Sequence, residues 1–152
     1  MKKLHFEIFI AAAPEKVWNT MIQDATYRQW TLAFNELGGW YEGDWNQGSE
    51  IKFLGPNPAD PSKVGGMLSR VAENRPYEFI SLEHYGMIMD GVEDTTSDEV
   101  KKWTPAFENY TFVEKDGGTQ VIIDIDTNEE YADMFAEMWP KALEKVKELA
   151  EK

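Results

Sequence analysis

The sequence contains no cysteine and only two histidines among 152 residues. Without cysteine there is no disulfide framework, no thiolate nucleophile and no cysteine-ligated zinc or iron–sulfur site. The two histidines, His5 and His84, are too few for a histidine-rich transition-metal site. We therefore expect no bound metal.

Basic residues and long apolar runs are also scarce. The chain has 15 Lys and Arg against 28 Asp and Glu, a formal net charge of −13. Nucleic acids and anionic membrane surfaces both require clusters of Lys and Arg, so neither is an expected partner. No apolar run approaches the length of a membrane span, and the first residues, MKKLHFEIFI, are too short and too charged for a secretory signal. We expect a cytoplasmic protein without membrane insertion.

Phosphate-binding and calcium-binding loops are missing as well. Gly38-Gly39 and Gly65-Gly66 lack the spacing of glycine-rich phosphate loops and are interpreted as turns or bulges. The acidic segment 90–99 lacks the alternating ligands and central glycine of a calcium loop. No nucleophile elbow is present. No cofactor is expected.

Aromatic residues, by contrast, are abundant: six Trp, six Tyr and eight Phe. In a chain whose length suits one domain, residues 1–152, such rings either fill a core or line a concave site.

Hydrophobic periodicity predicts an order of one strand, two helices, six strands and a long helix. Leu4, Phe6, Ile8 and Ile10 alternate with other residues as in a half-buried strand, and Pro14 suits the start of a helix. Two short helices should precede an antiparallel meander. Its predicted strands are Trp40–Trp45, Ser49–Leu54, Gly66–Asn74, Glu78–Tyr85, Ala106–Glu114 and Thr119–Thr127. The segments 55–65 and 90–102 are predicted to be loops and are candidates for mobile flaps.

The last helix has the clearest period. Thr127-Asn128-Glu129-Glu130 fits a capping box, so the helix is predicted to begin there. Pro140 is expected to bend it. Its predicted inward positions, spaced by three and four, are Tyr131, Met134, Phe135, Met138, Trp139, Ala142, Leu143, Val146, Leu149 and Ala150. The inward side chains of the first half are therefore bulky, and those of the second half are compact.

The chain resembles the START-like (SRPBCC) superfamily, in the branch related to the activator of the heat-shock chaperone ATPase. The resemblance rests on AAAPEKVWNTM, TYRQW, EGDWNQGSEIKFLG, GGMLSRVAENRP, FENYTF and MWPKALEKVKEL in this order along essentially the whole chain. It implies an α+β helix-grip fold, in which a curved antiparallel sheet wraps the C-terminal helix and leaves a cavity. In ligand-binding members of the superfamily this cavity holds a small apolar molecule.

Residues expected to line such a cavity come from the helix, the strands and the loops. They are Trp30, Trp45, Phe53, Met67, Leu82, His84, Trp103, Glu108, Tyr110, Met134, Phe135, Met138 and Trp139. The alternative is that the Met and aromatic side chains of the helix simply fill the core.

His84, Glu108 and Tyr110 are the candidate catalytic residues. Strand parity puts His84 on the face of Ile80 and Leu82, and Glu108 on the face of Tyr110. A neighbouring carboxylate would assist an imidazole in acid–base catalysis, and a phenol can donate a hydrogen bond to an oxyanion. The alternative is a buried hydrogen-bonded cluster without turnover.

Three functions remain open. The favoured one is binding of a small hydrophobic or amphipathic ligand, including a lipid, because an apolar wall with few polar groups suits such molecules. The second, implied by the resemblance, is a polyketide cyclase-like or hydrolase-like enzyme that uses the same cavity. The third, also implied by the resemblance, is a module that contacts a chaperone, although we do not expect it to stimulate the ATPase as the two-domain eukaryotic members do.

Overall fold

The computed structural model describes residues 1–152, and its first half consists of one strand, two helices, a 3-10 turn and four further strands. Strand β1 spans Lys2–Ile10, helix α1 spans Pro14–Ile22 and helix α2 spans Asp24–Trp30. A 3-10 turn, Thr31–Ala33, follows α2. The next strands are β2 (Trp40–Gly43), β3 (Glu50–Asn57), β4 (Asp60–Arg75) and β5 (Phe79–Met89).

The second half adds three strands and two helices. A short strand β6, Val92–Asp94, precedes a one-turn helix α3, Asp98–Lys101. Strands β7 (Ala106–Lys115) and β8 (Gly118–Thr127) form a hairpin, and helix α4 (Glu129–Ala150) ends the fold. The architecture is α+β, as predicted: a curved antiparallel sheet with a long C-terminal helix.

All eight strands belong to one sheet, in the order β1-β8-β7-β5-β4-β3-β2, with β6 paired to the end of β5. The first and last strands of the chain are neighbours in the sheet, because β1 pairs along its whole length with β8. One face carries the alternating apolar residues of each strand, and this face packs against α1, α2 and α4. The core therefore lies between the sheet and the helices.

Helix α4 is amphipathic over its full length, and its N-terminal cap is Asn128, one residue after the predicted position. The Asn128 side chain accepts a hydrogen bond from the Glu130 amide, so it satisfies one of the free N–H groups of the first turn. The helix continues through Pro140 to Ala150. Its buried residues are Ala132, Trp139, Ala142, Leu143, Val146 and Ala150.

The segment 55–65, predicted to be a loop, is largely strand, so that prediction is wrong. Gly55 pairs with Gly65 and Pro56 pairs with Val64, so β3 and β4 continue almost to a tight connection between Asn57 and Asp60. Glycine and proline weaken a strand signal in sequence, but the pairing across this edge hairpin outweighs their low propensity. The segment 90–102 likewise contains β6 and α3.

No helix of the structure is both long enough and apolar enough to cross a membrane.

Candidate ligand-binding cavity

A cavity of about 470 Å³ lies between the sheet and the helices. Helix α2 and the 3-10 turn contribute one wall, the inner faces of β3, β4, β5 and β7 contribute the floor, and α4 covers it. The cavity exists because the sheet curves around α4 while α4 packs most tightly along its second half, where Ala142, Leu143 and Val146 are fully or almost fully buried.

Aromatic rings dominate the wall near α4. Trp139 packs against the rings of Trp30 and Phe34, with centroid separations of 6.0 and 5.0 Å. Phe34 also contacts Phe135, at 6.3 Å. The indole N–H of Trp30 donates to the Met21 carbonyl, away from the cavity, so the ring presents apolar surface inward. These rings are held in place by their contacts with one another and by the bond to the backbone.

A chain of polar side chains crosses the floor of the cavity. Nε2 of His84 lies 3.1 Å from Oε1 of Glu108, and Nδ1 of His84 lies 2.5 Å from Oγ of Ser69. The Tyr110 hydroxyl donates to the other carboxylate oxygen, Oε2. The pairing of β5 with β4 on one side and with β7 on the other places these four residues side by side.

The chemistry of the donors and acceptors assigns the proton between His84 and Glu108. A carboxylate only accepts hydrogen bonds, so Nε2 of His84 carries the proton shared with Glu108. When the ring is neutral, Nδ1 accepts a hydrogen bond from the Ser69 hydroxyl. In this arrangement Glu108 is the one charged group of the cluster, and two donors hold its carboxylate in place.

Two tyrosines beside Glu108 are held in the neutral form. Burial, reinforced by the negative charge of Glu108, raises the pKa of both Tyr27 and Tyr110 above the usual value for a phenol. Tyr110 uses its proton in the bond to Glu108. Tyr27 lines the cavity and is more than nine-tenths buried, yet its hydroxyl makes no hydrogen bond within the protein. That hydroxyl is free to bond to a guest.

Glycines and an asparagine shape the rim of the cavity. Asn35 donates through Nδ2 to the Pro56 carbonyl and accepts through Oδ1 from the Leu37 amide, which ties the segment after α2 to β3. A Cβ on Gly66 would lie 1.9 Å from the Phe53 carbonyl oxygen, so only glycine permits this approach of β4 to β3. The glycine pairs interpreted from sequence as turns or bulges thus border the cavity.

The structure brings most of the predicted site residues to this cavity. The predicted residues that line it are Trp30, Phe53, Met67, His84, Glu108, Tyr110, Phe135 and Trp139.

Five other predicted residues lie outside the cavity, three of them in or near the sheet. Leu82 is fully buried in the core. Trp45 packs on the rings of Tyr41 and Phe53, behind the cavity wall. Trp103 follows α3 and is half-buried there.

Met134 and Met138, the other two, lie on the flank of α4 and not beneath it. Met134 is 41% exposed and Met138 is partly exposed. The face of α4 toward the sheet runs through Ala132, Phe135 and Trp139, and each methionine is one residue off this row, about 100° around the helix. Tyr131, which was also predicted to face inward, is exposed for the same reason.

Several cavity residues were not predicted from the sequence, including Tyr27, Phe34 and Asn35. A signal existed for Phe34, because it continues the three- and four-residue spacing of Tyr27 and Trp30 beyond the predicted second helix. No comparable signal marked Ser69. Its position beside His84 depends on a bulge at Tyr85 that shifts the pairing between β4 and β5.

Comparison with known proteins gives matches at the level of structure. No family model matches the chain, and no curated protein matches its sequence. A solved structure of an uncharacterised protein from Rhizobium leguminosarum matches with a TM-score of 0.73 and 13% identity, over 99% of this chain and 94% of that one.

Two further matches carry informative names. An AHSA1-like protein from Aeromonas hydrophila has a TM-score of 0.70 and 17% identity, over 99% of this chain and 92% of that one. The Aha1 dimer from Colwellia psychrerythraea has a TM-score of 0.66 and 16% identity, over 99% of this chain and 97% of that one. At such low identity the likeness is one of fold. The chain thus has the same α+β helix-grip fold as these Aha1 and AHSA1-like structures.

Proposed function

We propose that the protein binds a small apolar or amphipathic molecule in the cavity beneath α4. The observation that carries the proposal is a cavity of about 470 Å³ whose wall is built from aromatic rings, with a few polar groups at one place on its floor. Sites for small organic ligands typically span roughly 300–1,000 Å³ and combine apolar walls with a few fixed polar groups.

The energetics favour a guest over bulk water in this space. Phe34, Phe135 and Trp139 present ring surface that water wets poorly, and removing apolar surface from water contributes about 25 cal/mol per Å². The rings are already ordered by their mutual contacts, so little side-chain entropy is lost when a guest enters.

The first test is native mass spectrometry of freshly purified protein, followed by an NMR titration with 1-octanol, a neutral amphipathic probe. Bound probe should shift the amide and ring signals of residues that line the cavity, such as Phe135 and Glu108. Shifts confined to the opposite, outer face of the sheet would contradict the proposal.

A pair of variants separates cavity binding from surface adsorption. Met67→Trp replaces a flexible side chain on the cavity floor with a bulky indole ring and should abolish the shifts caused by 1-octanol. Met134→Trp adds the same ring on the exposed flank of α4, outside the cavity, and should leave them unchanged. Equal binding by both variants would place the probe elsewhere.

A second candidate function, acid–base catalysis in the same cavity, is favoured by the hydrogen bonds among His84, Glu108 and Tyr110. Glu108 is 23% exposed in its side chain and can accept a proton from a bound substrate. Ser69 is not a nucleophile in this scheme, because it is 1% exposed and does not border the cavity.

The catalytic function is tested by a separate experiment. Replacing Glu108 with Gln keeps the side-chain shape, so a catalytic role predicts loss of turnover of a neutral substrate whose binding is retained. Contact with a chaperone stays a prediction that comes from the resemblance alone.

A further inference from the structure

We infer that the guest of this cavity is an organic cation: a protonated amine on an apolar body, bound with its ammonium group at Glu108. The inference rests on the proposed function and narrows it to one chemical class. Three independent features of the cavity carry it: the charges that line it, the unused hydrogen-bonding capacity of its floor, and the rings that surround the floor.

The charges are of one sign. The cavity is lined by no Lys or Arg, while Glu108 lies on its floor and Asp90 at its rim. A neutral His84, donating from Nε2 to Glu108 and accepting at Nδ1 from Ser69, leaves the charge of Glu108 uncancelled. A carboxylate guest, such as a fatty acid, would have to lose its hydration beside a negative group with no cation to pair with it.

The floor has unused hydrogen-bonding capacity that suits a donor. The Glu108 carboxylate has about four acceptor positions. His84 and Tyr110 occupy two of them, one on each oxygen. The Tyr27 hydroxyl, which has no partner in the protein, offers a further acceptor close by. An ammonium group has three donors and no acceptor, so it matches this set better than a carboxylate does.

The surrounding rings complete the match. Tyr27, Phe53, Tyr110 and Trp139 all border the cavity, and the negative face of an aromatic ring attracts a cation within about 6 Å of its centre. Such contacts strengthen when the cation is desolvated, as it would be beneath α4. The overall charge of −13 adds a long-range attraction for cations approaching the rim.

Three probes that share one apolar chain test the inference: 1-octylamine, 1-octanol and octanoate. Their dissociation constants are measured by NMR titration of the signals of cavity residues, at a salt concentration that screens the exposed acidic surface. We expect octylamine to bind about tenfold or more tightly than octanol, and octanoate to bind about tenfold or more weakly than octanol.

Two charge-neutralising variants locate the preference. Glu108→Gln should bring the ratio of octylamine to octanol affinity close to one. Glu83→Gln removes the same charge from the strand position next to His84, where Glu83 pairs with Arg70 away from the cavity, and should preserve the ratio within about twofold. A ratio that falls equally in both variants would show a general surface effect and overturn the inference.

The outcomes also separate this inference from the proposed function. If octanol binds in the cavity but octylamine gains nothing over it, or octanoate binds as well, the ligand class is wrong and the binding function stands. If none of the three probes moves a cavity signal, the binding function fails and the inference fails with it.

Discussion

Nε2 of His84 donates to Oε1 of Glu108 across 3.1 Å, although 24 residues separate the two along the chain. The pairing of β5 with β7 brings them together, and Ser69 of β4 holds the far side of the same imidazole. A ring fixed at both nitrogens cannot rotate or change tautomer without losing a hydrogen bond. This cluster therefore holds the Glu108 carboxylate at one place on the cavity floor.

Replacing Ser69 with Ala should destabilise the protein by about 1–3 kcal/mol, because Nδ1 of His84 would become a buried acceptor without a partner. Urea unfolding followed by tryptophan fluorescence measures the loss. Ser81→Ala is the matched control: Ser81 is buried on the neighbouring strand but its hydroxyl makes no hydrogen bond, so its loss should cost less than about 0.5 kcal/mol. Equal costs would indicate that the Ser69 bond contributes nothing.

Replacing Trp139 should destabilise the protein more than replacing Met134 on the same helix. Trp139 is almost fully buried and contacts the rings of Phe6, Trp30, Phe34 and Tyr110. Trp139→Ala is expected to lower the free energy of unfolding by about 3–5 kcal/mol, the usual cost of emptying such a site. Met134→Ala, on the exposed flank of the same helix, should change it by less than about 0.5 kcal/mol. A large effect of Met134→Ala would mean that this flank packs against the core.

Gly66 should tolerate no side chain. A Cβ there meets the Phe53 carbonyl oxygen at 1.9 Å, and backbone can yield only if β3 and β4 separate. We expect Gly66→Ala to cost about 3 kcal/mol or more. Gly117→Ala is a useful comparison, since a Cβ there meets no atom and the cost is the strain of φ +78°, about 1 kcal/mol. Thermal unfolding of both variants measures the two costs. Similar melting temperatures would show that the strands can move apart.

Stability should also respond to the ionisation of His5. Hydrogen bonds to Glu7, then to Asp124, raise the pKa of His5 above 6.5. A raised folded-state pKa means that the charged ring stabilises the folded protein below the unfolded value, and that this contribution is lost as pH rises through the folded value. His5→Asn should therefore reduce stability more at about pH 5.5 than at about pH 8.5.

The measurement for His5 is urea unfolding of both proteins at the two pH values, with the His5 pKa followed by NMR. His5 is exposed, so the effect should shrink when salt is added. A penalty for His5→Asn that is the same at both pH values would contradict the ion-pair explanation.

The order of elements could be predicted because periodicity survives in each of them. The alternation of Leu4, Phe6, Ile8 and Ile10 gave β1, and the three- and four-residue spacing gave α4. The ends of the strands were harder to predict from the sequence. Pro56, Gly55 and Gly65 suggest a loop, yet they pair across the β3–β4 hairpin, since hydrogen bonding to a neighbouring strand is a long-range effect that local sequence does not report.

The site was predictable in part for the same reason. Parity within one strand placed His84 and Glu108 on inward faces, and the structure joins them. Ser69 could not be predicted, because the bulge at Tyr85 sets its register with His84. Met134 and Met138 were misplaced because a helix face is narrow, and a row shifted by one residue turns from the core to its flank.

Ligand binding requires open space beneath Phe135 and Trp139, and the most direct test is to find where a neutral guest binds. Isotope-filtered NOE spectra of the labelled protein with 1-octanol report which protons lie within about 5 Å of the probe, a range close to van der Waals contact. We predict NOEs from the octyl chain to the rings of Phe135 and Trp139. NOEs to exposed residues such as Val92 and Met134 alone would contradict the account.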